Sequence, residues 1–137
     1  MKKTLFLLAI FFICIETSFA QTNPAITAWI QNHDGTTGRH YIENNPTPID
    51  DGVLANVQSV DYSDNWVYVS ATGIPSYITG PFLDNNPSLA TDQQAIYKIS
   101  LNPTQNTGTP TNTTGGNIGI FVNGVSLFDY RDGVRWD

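Results

Sequence analysis

The chain is short of charge, of cysteine and of helical periodicity, and each shortage narrows what it can be. Only 13% of its 137 residues are charged, six basic against twelve acidic. So small a charged fraction excludes a coiled coil or a polar helical bundle. A net charge of −6 leaves no basic face for phosphates, so nucleic acid is not expected as a partner. One cysteine, Cys14, cannot make an internal disulfide or a Cys-rich metal cage. Two histidines, His33 and His40, fall short of the three or four ligands a zinc site wants, and both are expected at the surface. No Gly-x-Ser-x-Gly elbow marks a serine nucleophile.

Apolar length is scarce too. The one sustained apolar run, Leu5 to Ile15, covers eleven residues. At about 1.5 Å per residue it cannot cross about 30 Å of hydrocarbon, so an integral membrane protein is not expected. Lys2 and Lys3 precede that run, and Ser18-Phe19-Ala20 follows it with small residues three and one before Gln21. This is the pattern of a bacterial export signal over residues 1–20, cut between Ala20 and Gln21. Ile13 is too large to precede a lipidated cysteine, which argues against an anchor at Cys14. The expected product is secreted or periplasmic, 117 residues long (137 − 20) and free of cysteine. Losing Lys2, Lys3 and Glu16 leaves four basic against eleven acidic residues, or −7. A body of this size is a single domain.

What the chain does have is short apolar runs bounded by Gly, Pro, Asn and Asp, with 12% aromatic residues. That pattern predicts an all-β domain, mainly antiparallel, as a β-sandwich or a partly open barrel. Strands are expected over residues 25–31, 39–42, 53–62, 65–72, 95–101, 118–122 and 125–128. Ser63-Asp64 reads as a hairpin turn between two of them, and in 65–72 the aliphatic Val67 and Val69 alternate with the aromatic Trp66 and Tyr68. Ile96, Lys98 and Ser100 alternate in the same way with Tyr97, Ile99 and Leu101. Residues 73–81 hold two prolines and two glycines and read as a shaped loop or edge. Residues 102–117 form a low-complexity Thr/Asn/Gly/Pro loop. Asn123-Gly124 predicts a two-residue type I′ turn, since that dipeptide supplies two positive φ values. Asp129 to Asp137 carries loop chemistry to a terminal Trp-Asp, and the domain is expected to be incomplete at its C-terminal end.

Carboxylates occur in small groups: Asp50-Asp51, Asp61 with Asp64, Asp84, and Asp129 with Asp132. Asp61-x-x-Asp64-Asn65 and Asp129-x-x-Asp132 each place two hard oxygen ligands within one turn, as Ca²⁺ prefers. The competing explanation is turn chemistry, because Asp and Asn bond nearby backbone N–H groups. The candidate metal ligands are therefore Asp61, Asp64, Asp129 and Asp132, with Ca²⁺ as the ion. Trp29, Trp66, Tyr62, Tyr68, Tyr77, Phe82 and Tyr97 are candidates for a sugar-stacking platform. Aromatic faces suit the C–H faces of pyranose rings, although the same residues also suit a two-sided β core.

The run Val57-Gln58-Ser59-Val60-Asp61-Tyr62-Ser63-Asp64-Asn65-Trp66-Val67-Tyr68-Val69, followed by Ala71-Thr72-Gly73-Ile74-Pro75-Ser76-Tyr77, resembles the YHYH-domain family of secreted bacterial proteins. Gly80-Pro81-Phe82, Asn86-Pro87, Gln93-Gln94, Gly119 to Phe128 and Arg131-Asp132-Gly133 are similar to its later blocks, in the same order. The resemblance spans residues 26–137. The Tyr-His-Tyr-His motif that names the family, and the Gly-His-Pro segment before it, do not occur here, so no residue inherits the role of that histidine cluster. The resemblance implies an exported β domain without defined activity. The expectation is a noncatalytic binding or structural module with no catalytic residues of its own and with a glycan or cell-surface component as partner. The alternative is the N-terminal part of a metal-binding or metal-dependent enzyme domain whose histidine-rich half is absent.

Overall fold

A computed structural model describes residues 23–82, 89–112 and 115–129. The expected export signal 1–20 with Cys14, Asp84, and the terminal run 130–137 with Asp132 lie outside the described residues. In chain order the elements are α1 (Pro24–Thr27), β1 (Thr37–His40), β2 (Ile49–Leu54), β3 (Val57–Tyr62), β4 (Trp66–Ala71), β5 (Ile78–Thr79), β6 (Ala95–Ser100), β7 (Asn117–Ile120) and β8 (Ser126–Phe128). They form three small sheets, ordered β2-β1-β5, β3-β4-β6 and β7-β8, all antiparallel except the β1–β5 pair. The fold is all-β, and the described residues form no closed barrel.

The strand expected over residues 25–31 is replaced at its start by the single helical turn α1. The Asn23 side chain accepts the Ala25 N–H at 2.9 Å, and Pro24 occupies the first helical position with its φ already set. This local cap overrides the alternating pattern. The Trp29 indole N–H then donates to the Ala25 carbonyl at 2.7 Å. Extended pairing begins only at Gln31, which bridges Val57.

The run 53–62 is not one strand but parts of two, β2 and β3. They are separated at Asn56, whose φ of 67° lies in the left-handed region that asparagine tolerates. Asn56 is buried, its N–H donates to the Ile74 carbonyl at 2.7 Å, and its Oδ1 accepts the Ser76 N–H at 3.2 Å. The corner is thus held from both sides. The β1 strand lies two residues earlier than the sequence pattern suggests. The expected shaped segment 73–81 contains the edge strand β5.

Strands β4 and β6 agree closely with expectation, and β3 covers the second half of the expected 53–62 strand. Ser63 N–H donates to the Trp66 carbonyl at 2.8 Å, closing the β3–β4 hairpin. On the inner face Val60 pairs with Val69 and Tyr62 with Val67, while Val69 faces Tyr97 and Val67 faces Ile99 on the other side. Val57, Val67, Val69 and Ala71 form the buried cluster. Ala25, Ile26, Trp29, Val60, Tyr97, Ile99, Leu101 and Ile120 pack around it.

The β7–β8 connection departs from the expected type I′ turn. Of its two central candidates only Gly124 has a positive φ, at 84°. The Gly124 N–H donates to the Phe121 carbonyl and the Phe121 N–H to the Val125 carbonyl, each at 2.8 Å. The loop therefore has three residues, Val122-Asn123-Gly124, with glycine at the left-handed third position. A Cβ on Gly124 would stand 2.6 Å from the Ala71 Cβ and 3.3 Å from Val57 Cγ2, so the hairpin tip sits directly on the core. The Tyr97 hydroxyl bonds Ser126 Oγ at 2.5 Å and links this hairpin to β6.

Candidate ligand-binding face

The outer face of the β3-β4-β6 sheet follows from strand alternation. Because Val67, Val69 and Ala71 point into the core, Trp66, Tyr68 and Ser70 of β4 point away from it. Register then places Asp61 beside Tyr68 and Ser59 beside Ser70 on β3, and Lys98 beside Tyr68 and Ser100 beside Trp66 on β6. One aromatic pair is thus ringed by hydroxyls, one carboxylate and one ammonium. Trp66 remains 38% exposed.

Lys98 Nζ stands 4.2 Å from the centroid of the Trp66 ring and 6.0 Å from that of Tyr68. Both lie within the reach at which an aromatic quadrupole attracts a cation. Lys98 is the only lysine beyond position 3. Among the described residues no carboxylate pairs with it, since the one ion pair there joins His40 to Asp51. Aromatic faces, not a counter-charge, hold this ammonium.

The other aromatic candidates divide. Trp29 and Tyr97 pack against the core, while Tyr62, Tyr77 and Phe82 are exposed without joining the Trp66–Tyr68 pair on its strand. The two readings of the aromatic set therefore apply to different residues.

Of the metal candidates, Asp61 lies on β3 and accepts a long bond from Ser59 Oγ at 3.4 Å. Asp64 lies exposed in the β3–β4 turn. Asp129 follows β8 and is buried, its N–H donating to the Gly116 carbonyl at 2.9 Å. Asp132 lies outside the described residues. Among the described residues no three His, Cys, Asp or Glu side chains come together as a cage.

The expectation of two surface histidines is corrected at one of them. His33 is exposed, but His40 is only 8% exposed. Its Nδ1 bonds Asp51 Oδ1 across the β1–β2 pair. Strand alternation explains this: Gly38 and His40 share the inward side of β1, while Thr37 and Arg39 do not. A Cβ on Gly38 would collide with the Ile74 side chain and come within 2.8 Å of Asp51 Oδ2, so glycine is needed for the close approach. The Gly-x-His spacing beside the Asp50-Asp51 doublet was the available signal, and it could be read only once the register was known.

Two exposed carboxylates are held below the ordinary aspartate range. Asp34 accepts the Thr36 hydroxyl at 2.7 Å and the Thr36 N–H at 3.0 Å, both favouring its charged form. Asp50 accepts the Gly52 N–H at 2.8 Å and is further stabilised by the Thr37 hydroxyl. The Asp34 bonds and the Asp50–Gly52 bond are local, spanning two residues, whereas the Thr37 hydroxyl reaches Asp50 from the neighbouring strand.

Two concavities lie among the described residues. One of about 380 Å³ is lined by Tyr41, Ile42, Asn44, Asn45, Pro46 and Pro81. Another, of about 280 Å³, lies beside Gly73, Gln93, Ser126 and Phe128. No helix among the described residues is long and apolar enough to cross a membrane. Comparison with family models, curated proteins and solved structures returns no match.

Proposed function

We propose that this chain is an exported, noncatalytic binding module of the YHYH type that takes a glycan on the outer face of its β3-β4-β6 sheet. The observation that carries this reading is the Trp66–Tyr68 pair: two aromatic rings on one strand face, Trp66 still exposed, directed away from the core. Residues two apart on a strand are separated by about 6.8 Å. That spacing offers successive contacts to a chain of stacked sugar rings. Ser59, Ser70, Ser100 and Asp61 surround the rings with donors and acceptors suited to sugar hydroxyls.

The test is affinity electrophoresis of the chain through gels containing neutral or acidic polysaccharides, comparing wild type with Trp66→Ala. Retardation by at least one polysaccharide is expected, with at least a tenfold weaker Kd in the variant and an unchanged circular dichroism spectrum. Equal retardation of wild type and W66A, or no retardation in any gel, would overturn the proposal.

A further inference from the structure

Resting on that glycan-binding reading, we infer that the ligand is an acidic saccharide, whose carboxylate is received by Lys98 while a sugar ring stacks on the Trp66–Tyr68 face. The argument is one of charge complementarity. The described part of the chain contains two strong cations, Arg39 and Lys98. Arg39 directs its guanidinium to the Ser76 carbonyl, at 3.4 Å. Lys98 has aromatic rings for neighbours, and among the described residues its ammonium has no hydrogen-bond or ion-pair partner within the protein.

A surface ammonium has three N–H donors, and a ring face satisfies its charge without accepting all of them. The remaining donors are open to an anion. In an otherwise acidic chain the fixed cation sits beside the rings that would stack a sugar, so a carboxylate attached to that sugar meets both at once. Ring contact alone accepts many neutral saccharides. The ammonium adds discrimination, because its contact with a charged acceptor is stronger than with a neutral one. Asp61 stands on the opposite side of Tyr68 and repels an anion, so the carboxylate of the ligand is received on the Lys98 side of the rings.

The experiment titrates the chain with oligogalacturonate, oligomannuronate and oligoglucuronate, and with the methyl ester of each, following Kd by calorimetry. Wild type is expected to bind at least one free acid ten times more tightly than its ester, with affinity falling at higher salt. Lys98→Met keeps the length of the stem and is expected to bind acid and ester alike, whereas Lys98→Arg keeps the preference. A tenfold preference retained by K98M, or equal binding of acid and ester by wild type, would overturn the acidic-ligand inference. If W66A still loses binding in that case, the stacking face itself stands. Binding of no acid and no ester overturns the acidic-ligand inference, while the stacking face is then decided by the neutral polysaccharides of the electrophoresis.

Discussion

Asp51 reaches across from β2 to fill the space between Gly38 and the ring of His40, and these three residues decide how closely β1 can approach Ile74. The His40 and Asp51 side chains are both largely withdrawn from water, at 10% and 13% exposure. Removing one partner of such a pair leaves the other without its bond, which typically costs about 1–3 kcal/mol. Asp51→Ala is therefore expected to lower stability by that amount in equilibrium urea denaturation. Asp51→Asn, which keeps an acceptor oxygen, should lose less. A D51A variant within about 0.5 kcal/mol of wild type would show that the pair adds nothing. The sequence displayed both residues but not their meeting, since Asp50 and Asp51 are neighbours with opposite fates. One serves its own turn through the Gly52 N–H, and the other faces the imidazole of a different strand.

At the level of elements, strands whose alternation was strong appeared where expected, and elements governed by a single local interaction did not. Residues 65–72 and 95–101 were legible because Val67, Val69, Tyr97 and Ile99 alternate without interruption against polar or aromatic partners. The first strand failed because an asparagine cap and a proline outweigh a few alternating residues. The 53–62 strand failed because Asn56 turns the backbone into the left-handed region. The β7–β8 hairpin was recognised, but its turn type was not. Asn123-Gly124 fits either a two-residue or a three-residue loop, and the bond from Gly124 N–H to the Phe121 carbonyl selects the second. Gly124→Ala should destabilise by about 1–3 kcal/mol, because a side chain there meets both an unfavourable φ and the Ala71 methyl. The denaturation midpoint checks this, and an unchanged midpoint would show that the hairpin tip does not rest on the core.

At the scale of the whole molecule, the core among the described residues is thin, and two exposed aspartates contribute to the acid response. Among the described residues the fully buried hydrophobic ones are Ala55, Val57, Val67, Val69, Ala71 and Ile74, mostly small side chains. Asp34 and Asp50 have folded-state pKa values below their unfolded values, so the unfolded chain takes up protons first as pH falls. Their stabilisation is fully present above the ordinary aspartate pKa of about 3.9 and is lost as pH drops through the lower folded values. Melting temperature should accordingly hold down to about pH 5 and decline below about pH 3.9, with a shallower decline in the Asp34→Asn, Asp50→Asn double variant. An acid limb of equal slope in that variant would show that these two aspartates do not contribute to the response.

The all-β class, the central hairpin and the inward and outward sides of β4 were determined by the sequence alone, because strand alternation is a local property that each residue carries with it. The sequence also held every member of the outer-face group, with Lys98 conspicuous as the single lysine beyond position 3. What brings Lys98 to Trp66 is the register between β4 and β6, separated in sequence by the whole segment from Thr72 to Gln94. The burial of His40 likewise depends on pairing between β1 and β2, and the landing of Gly124 on Ala71 depends on the packing of one sheet against another. These are contacts between distant parts of the chain, for which local periodicity carries no information, so only the tertiary structure could decide them.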